Sequence, residues 1–94
     1  MKGILVAVFD KKGKIYTYPE VKRTPAVAIR DFKSICENKQ AGINKYPEDF
    51  CLCILGEYDN ETGIINSLKE TKILIEANDL IIKDNMEVFN EKKN

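Results

Sequence analysis

Two uninterrupted apolar runs, Ile4-Leu-Val-Ala-Val-Phe9 and Phe50-Cys-Leu-Cys-Ile-Leu55, constrain this chain more than any other feature in it. The first fits a strand buried on both faces. It is followed by Asp10-Lys-Lys-Gly13, a turn ending in glycine, and then by Lys14-Ile-Tyr-Thr-Tyr18, β-rich and closed by Pro19. Strand, turn and strand predict a hairpin. In the second run, alternation puts Phe50, Leu52 and Ile54 on one face and Cys51, Cys53 and Leu55 on the other. Gly56 marks a bulge at its end.

Between the runs, Thr24-Pro25 is a helix start, because threonine caps free amides and proline suits the first helical position. Ala28, Ile29, Phe32, Ile35 and Cys36 follow at helical spacing, with Arg30, Lys33, Ser34 and Glu37 away from that stripe. The spacing predicts a helix over 25–38 and a loop over 38–49. Beyond the second run, Asp59-Asn-Glu-Thr-Gly63 is a turn and Ile64-Ile65 opens a short return strand. Residues 72–76 fit a fifth strand or a helical turn, and residues 80–82 carry the same ambiguity. The order β-β-α-β-β predicts a small α+β domain, one helix packed on an antiparallel sheet. One domain is expected over 1–83. A charged tail over 84–94 is expected to fray unless Met86, Val88 and Phe89 dock.

The chain has 94 residues. A domain of that size buries a limited core and gains from a partner. A sheet with one helix also leaves a second face to cover, so a homo-oligomer is expected, with a dimer favoured. The net charge of zero conceals a split: ten Lys/Arg and four Asp/Glu in 1–45, five and eleven in 46–94. Either the fold has a basic end, or the halves intermix and the dipole vanishes.

Chemistry is constrained by what the chain lacks. With no histidine, Ser-His-Asp and Cys-His arrangements are impossible. Three cysteines, Cys36, Cys51 and Cys53, would need a carboxylate to complete a zinc site and read better as buried core thiols. Their odd number fits reduced thiols in a cytosol. The short run after Gly3 is too short for a signal peptide core or a membrane span. No phosphate-binding glycine loop and no calcium loop is present. A non-enzymatic protein is expected, with no cofactor, metal or membrane.

Residues 10–23, DKKGKIYTYPEVKR, interleave basic residues with tyrosines. On a regular strand Lys14, Tyr16 and Tyr18 share a face, opposite Ile15 and Thr17. Basic charge that tracks a phosphate backbone, beside aromatic platforms for bases, is how single strands are held without sequence preference. The candidate nucleic-acid-binding residues are Lys12, Lys14, Tyr16, Tyr18, Lys22, Arg23, Arg30 and Lys33. The competing reading packs Tyr16 and Tyr18 under the helix or against a second subunit.

Three segments, Thr24-Pro-Ala-Val-Ala-Ile-Arg-Asp-Phe32, Lys45-Tyr-Pro-Glu-Asp-Phe50 and Leu55-Gly-Glu-Tyr-Asp-Asn-Glu-Thr-Gly63, come in an order and spacing that resemble the small nonstructural protein of gokushovirus-type microviruses. The resemblance covers roughly residues 4–65. It implies a single-stranded-DNA phage protein made in the bacterial cytoplasm and kept out of the capsid. It also implies a role in binding DNA and favouring the switch to single-stranded genome synthesis and packaging. It brings no catalytic residue, and its shared segments do not coincide with the tyrosine strand. The alternative is a protein-interaction module that uses the acidic second half, Glu48 to Glu91, to bind a replication initiator, a capsid-assembly partner or a host factor.

Overall fold

Strand β1 (Lys2–Asp10) is the spine of the fold. The computed structural model describes residues 2–81; the tail expected over 84–94 lies outside them. Strand β4 (Phe50–Asp59) pairs antiparallel with β1 along its whole length, from Lys2 opposite Asp59 to Asp10 opposite Phe50. On the other side, β1 holds β2 (Ile15–Tyr16) near its end and β3 (Glu20–Lys22) near its start. Strand β5 (Ile65–Glu76) closes the order β2-β1-β4-β5. The result is the α+β architecture expected, an antiparallel sheet with a helix on it. The β1–β4 ladder also interleaves the two halves of the sequence, so basic Lys2 lies opposite acidic Asp59.

Strands β2 and β3 are one strand interrupted. Phe9 faces Tyr16, but Val6 faces Glu20, so one extra residue enters between the two ladders. Thr17 manages the break. Its amide donates to the Val8 carbonyl at 2.8 Å, and its hydroxyl accepts from the Val8 amide at 2.9 Å. Pro19, which has no amide to give, sits in the gap. The expected strand 14–18 is therefore cut short, and β3 supplies the fifth strand.

The return strand differs more. It is not a short strand followed by a separate element: β5 runs unbroken in sequence from Ile65 to Glu76 and takes in 72–76. Its register slips instead. Ile54 faces Lys72 and Gly56 faces Ser67, so residues 68–71 of β5 arch out against Leu55 alone. Gly56 allows this approach, since a Cβ there would collide with the Asn66 carbonyl oxygen. The bulge expected at Gly56 is present on both ladders of β4.

Helix α1 (Pro25–Glu37) begins as its sequence predicts, with Thr24 Oγ1 accepting from the Val27 amide at 3.2 Å. It connects β3 to β4, which flank β1, in a split βαβ arrangement. The expected loop over 38–49 contains a short helix α2 (Gly42–Lys45) and a 3₁₀ turn (Pro47–Asp49). Asn44 on α2 donates to the Cys36 carbonyl at 2.8 Å, satisfying an orphan acceptor at the end of α1. Residues 77–81 are helical, which settles the ambiguity at Leu80.

The core forms where α1 meets the sheet. Val6 and Leu52 pack with Ala28, Phe32, Cys36, Ala77 and Leu80. Of the predicted helical stripe, Ala28, Phe32 and Cys36 are buried and Ile35 is exposed.

Candidate nucleic-acid interface

The break at 17–19 separates the two tyrosines. The register puts Tyr16 beside Phe9 on the face opposite α1, and the rings pack with centroids 4.5 Å apart, tilted by 33°. The Tyr16 hydroxyl lies 3.0 Å from Thr71 Oγ1. In a flat sheet β2 and β5 would stand about 14 Å apart, three strand spacings. The contact forms because the 68–71 arch brings β5 back over the face. Tyr16 is thus a packed strap, 40% exposed. Tyr18 is 97% exposed. It stands at the mouth of a cleft of about 230 Å³ between α1 and β1, walled by Val6, Val8, Ala28, Phe32 and Ile35.

The basic candidates fall into two groups along this edge. Lys12 and Lys14 lie in the β1–β2 turn, both exposed. Asp10 shapes that turn, its Oδ1 accepting from the Lys12 and Gly13 amides at 3.0 Å each. Lys14 is left-handed, with φ 55°, a conformation that favours glycine or asparagine. Lys22 and Arg23 lie at the opposite end, Lys22 facing Ile4 on β1. Six residues of β1 separate the two ends, a distance of about 20 Å. Tyr18 lies between them in sequence and along the edge.

The second group is less free than its composition suggests. Lys22 Nζ bonds Asp31 at 2.9 Å and Glu20 at 3.0 Å. These two carboxylates, Asp31 first, hold its pKa above the usual lysine value. Arg30 is exposed on α1, with Nε 4.0 Å from Asp31. Arg23 lines a shallow groove with Gly3, Val21, Tyr58 and Asn60. Lys33 is half-buried on α1. Lys12, Lys14 and Tyr18 thus lie along the exposed β2 margin, Arg30 lies on α1 beside Asp31, and Arg23 lies in the groove beside Val21 and Tyr58, while Tyr16 is turned to the far face.

That far face holds the contacts the sequence did not announce. Lys11 Nζ reaches Glu76 at 2.7 Å, and this hydrogen bond raises its pKa. Beneath lie Ala7, Cys51 and Cys53, all buried although no helix among the described residues covers them. The Cys51 and Cys53 sulfurs are 3.7 Å apart. Burial pushes the Cys51 thiol up to about 12 and Cys36 up to about 11, so neither is a nucleophile near neutral pH. Among the described residues no cluster of three or more acidic or cysteine side chains suits a metal ion. No described helix is long and apolar enough to cross a membrane.

Compared with known proteins, the chain matches the model of the Phage ORF5 protein family over residues 3–80 and belongs to that family. No curated protein and no solved structure matches it.

Proposed function

We propose that this phage protein binds single-stranded DNA along its β2–β3 margin, as a non-enzymatic factor in genome replication. One observation carries the reading: Tyr18 is 97% exposed between the Lys12–Lys14 turn and the Arg23–Arg30 group. The exposed ring contributes almost nothing to the fold, which leaves it available as a platform, and a base offers a π-face of the right size. The flanking cations then track the phosphates on either side. The resemblance to gokushovirus-type microviruses supplies the biological setting: a nonstructural protein in the bacterial cytoplasm that coats emerging single strands. By holding that strand, it favours single-stranded genome synthesis and packaging over further duplex replication.

Salt dependence tests this directly. A labelled single-stranded oligonucleotide is titrated by fluorescence anisotropy at several salt concentrations, with duplex as competitor. Engagement of three or four cations gives a log–log slope of about −2 to −3. Binding should be saturable and prefer the single strand. Absence of binding at low salt would contradict the reading. One observation favours the interaction-module alternative: Lys11 and Lys22 already hold carboxylates, which reduces the charge offered to phosphate. That module, contacting a replication initiator, capsid-assembly or host protein, would show no such slope.

A further inference from the structure

We propose that the sheet face opposite α1 is the contact surface for a second copy of this chain. The ladder registers place Val21, Leu5, Tyr58 and Ile65 on that face at one end, and Tyr16 and Ile73 at the other. Val21 is 47% exposed, Ile65 55% and Ile73 54%. Single exposed aliphatics need no explanation, but here they share one face of one sheet.

The size of the face fits a dimer. Nine residues of β1 give a length of about 30 Å, and four strands give a width of about 15 Å. Two such faces together remove about 1,000 Å² from water once side-chain relief is counted, the lower limit for a specific interface. The charge pattern fits a self-contact. Lys11 and Glu76 neutralise each other at 2.7 Å, and Tyr16 and Thr71 satisfy each other at 3.0 Å. The two polar contacts that cross the face are therefore already paired, with Arg23 at its border and Lys69 and Glu70 on the arch beside Thr71. A two-fold contact needs a surface compatible with itself, which a neutral apolar face is. The two copies would meet across their straps and exposed aliphatics, with α1 of each copy outside. Lys12, Lys14 and Tyr18 stay at the rim of this contact, whereas Arg23 borders it beside Val21 and Tyr58.

Sedimentation velocity on the full chain, without nucleic acid and over a concentration series, tests the proposal. The expected species has twice the 10.7 kDa chain mass. Ile73→Glu should raise the dissociation constant at least about tenfold. Val21→Lys does the same from the other end of the face and decides the matter if Ile73→Glu fails to fold. Ile15→Lys, at a site 65% exposed on the other side of the sheet, should leave the dimer unchanged. A monomer at every concentration would overturn the proposal. So would a dimer that survives both face variants with circular dichroism intact, or one lost only in Ile15→Lys.

Discussion

On one face of the sheet, α1 and residues 77–81 bring Ala28, Phe32, Cys36 and Leu80 down onto Val6 and Leu52. On the other, no helix arrives among the described residues. There the floor of Ala7, Cys51 and Cys53 is kept dry by single side chains, Tyr16 reaching Thr71 and Lys11 reaching Glu76. The first face is closed by an element with its own hydrogen bonds and many shared contacts. The second is closed by two straps and leaves Val21, Ile65 and Ile73 in water. A small domain has one good core to spend its helix on, and the remaining face must use small residues, curvature and outside cover. The tyrosines divide along the same line: Tyr16 belongs to the strapped face, and Tyr18 stands at the mouth of the cleft on the helix side, almost fully exposed.

Substitutions can sharpen this contrast. Phe32→Ala empties the helix-covered core and should cost about 3–5 kcal/mol in urea unfolding. Gly56→Ala drives a Cβ into the β5 backbone, flattens the arch that carries Thr71, and should cost about 1–3 kcal/mol in the same assay. Tyr16→Phe keeps the packing on Phe9 and removes only the hydroxyl contact, so the loss should be about 1 kcal/mol. Tyr18→Ala should change stability by less than about 0.5 kcal/mol, since the ring contributes almost no burial. If Tyr16→Phe and Tyr18→Ala proved equally damaging, the division between the two tyrosines would be wrong.

The elements that local chemistry dictates were readable in the sequence. The apolar runs became β1 and β4, Thr24-Pro25 capped α1, and Gly56 marked the bulge. The acidic and basic halves stayed ambiguous because pairing partners, not sequence position, decide which charges meet. What could not be read depended on register. A one-residue slip at 17–19 sends Tyr16 and Tyr18 to different sides, although simple alternation puts them together. Pro19 was the available signal, since a residue without an amide interrupts a ladder. The arch at 68–71 hid β5 by breaking its alternation, so residues 64–65 and 72–76 looked like separate pieces. The Lys11–Glu76 and Tyr16–Thr71 straps join residues 65 and 55 positions apart, and no local pattern announces them.

If the β2–β3 margin binds single strands as proposed, Tyr18 rather than Tyr16 is the ring offered to a base. Anisotropy titration of one single-stranded oligonucleotide against wild type, Tyr18→Ala and Tyr16→Phe at low salt tests it most directly. Loss of one stacked base is worth about 1–3 kcal/mol, so Tyr18→Ala should weaken binding by about 5- to 150-fold, with Tyr16→Phe near wild type. Wild-type affinity in a folded Tyr18→Ala variant would contradict the account.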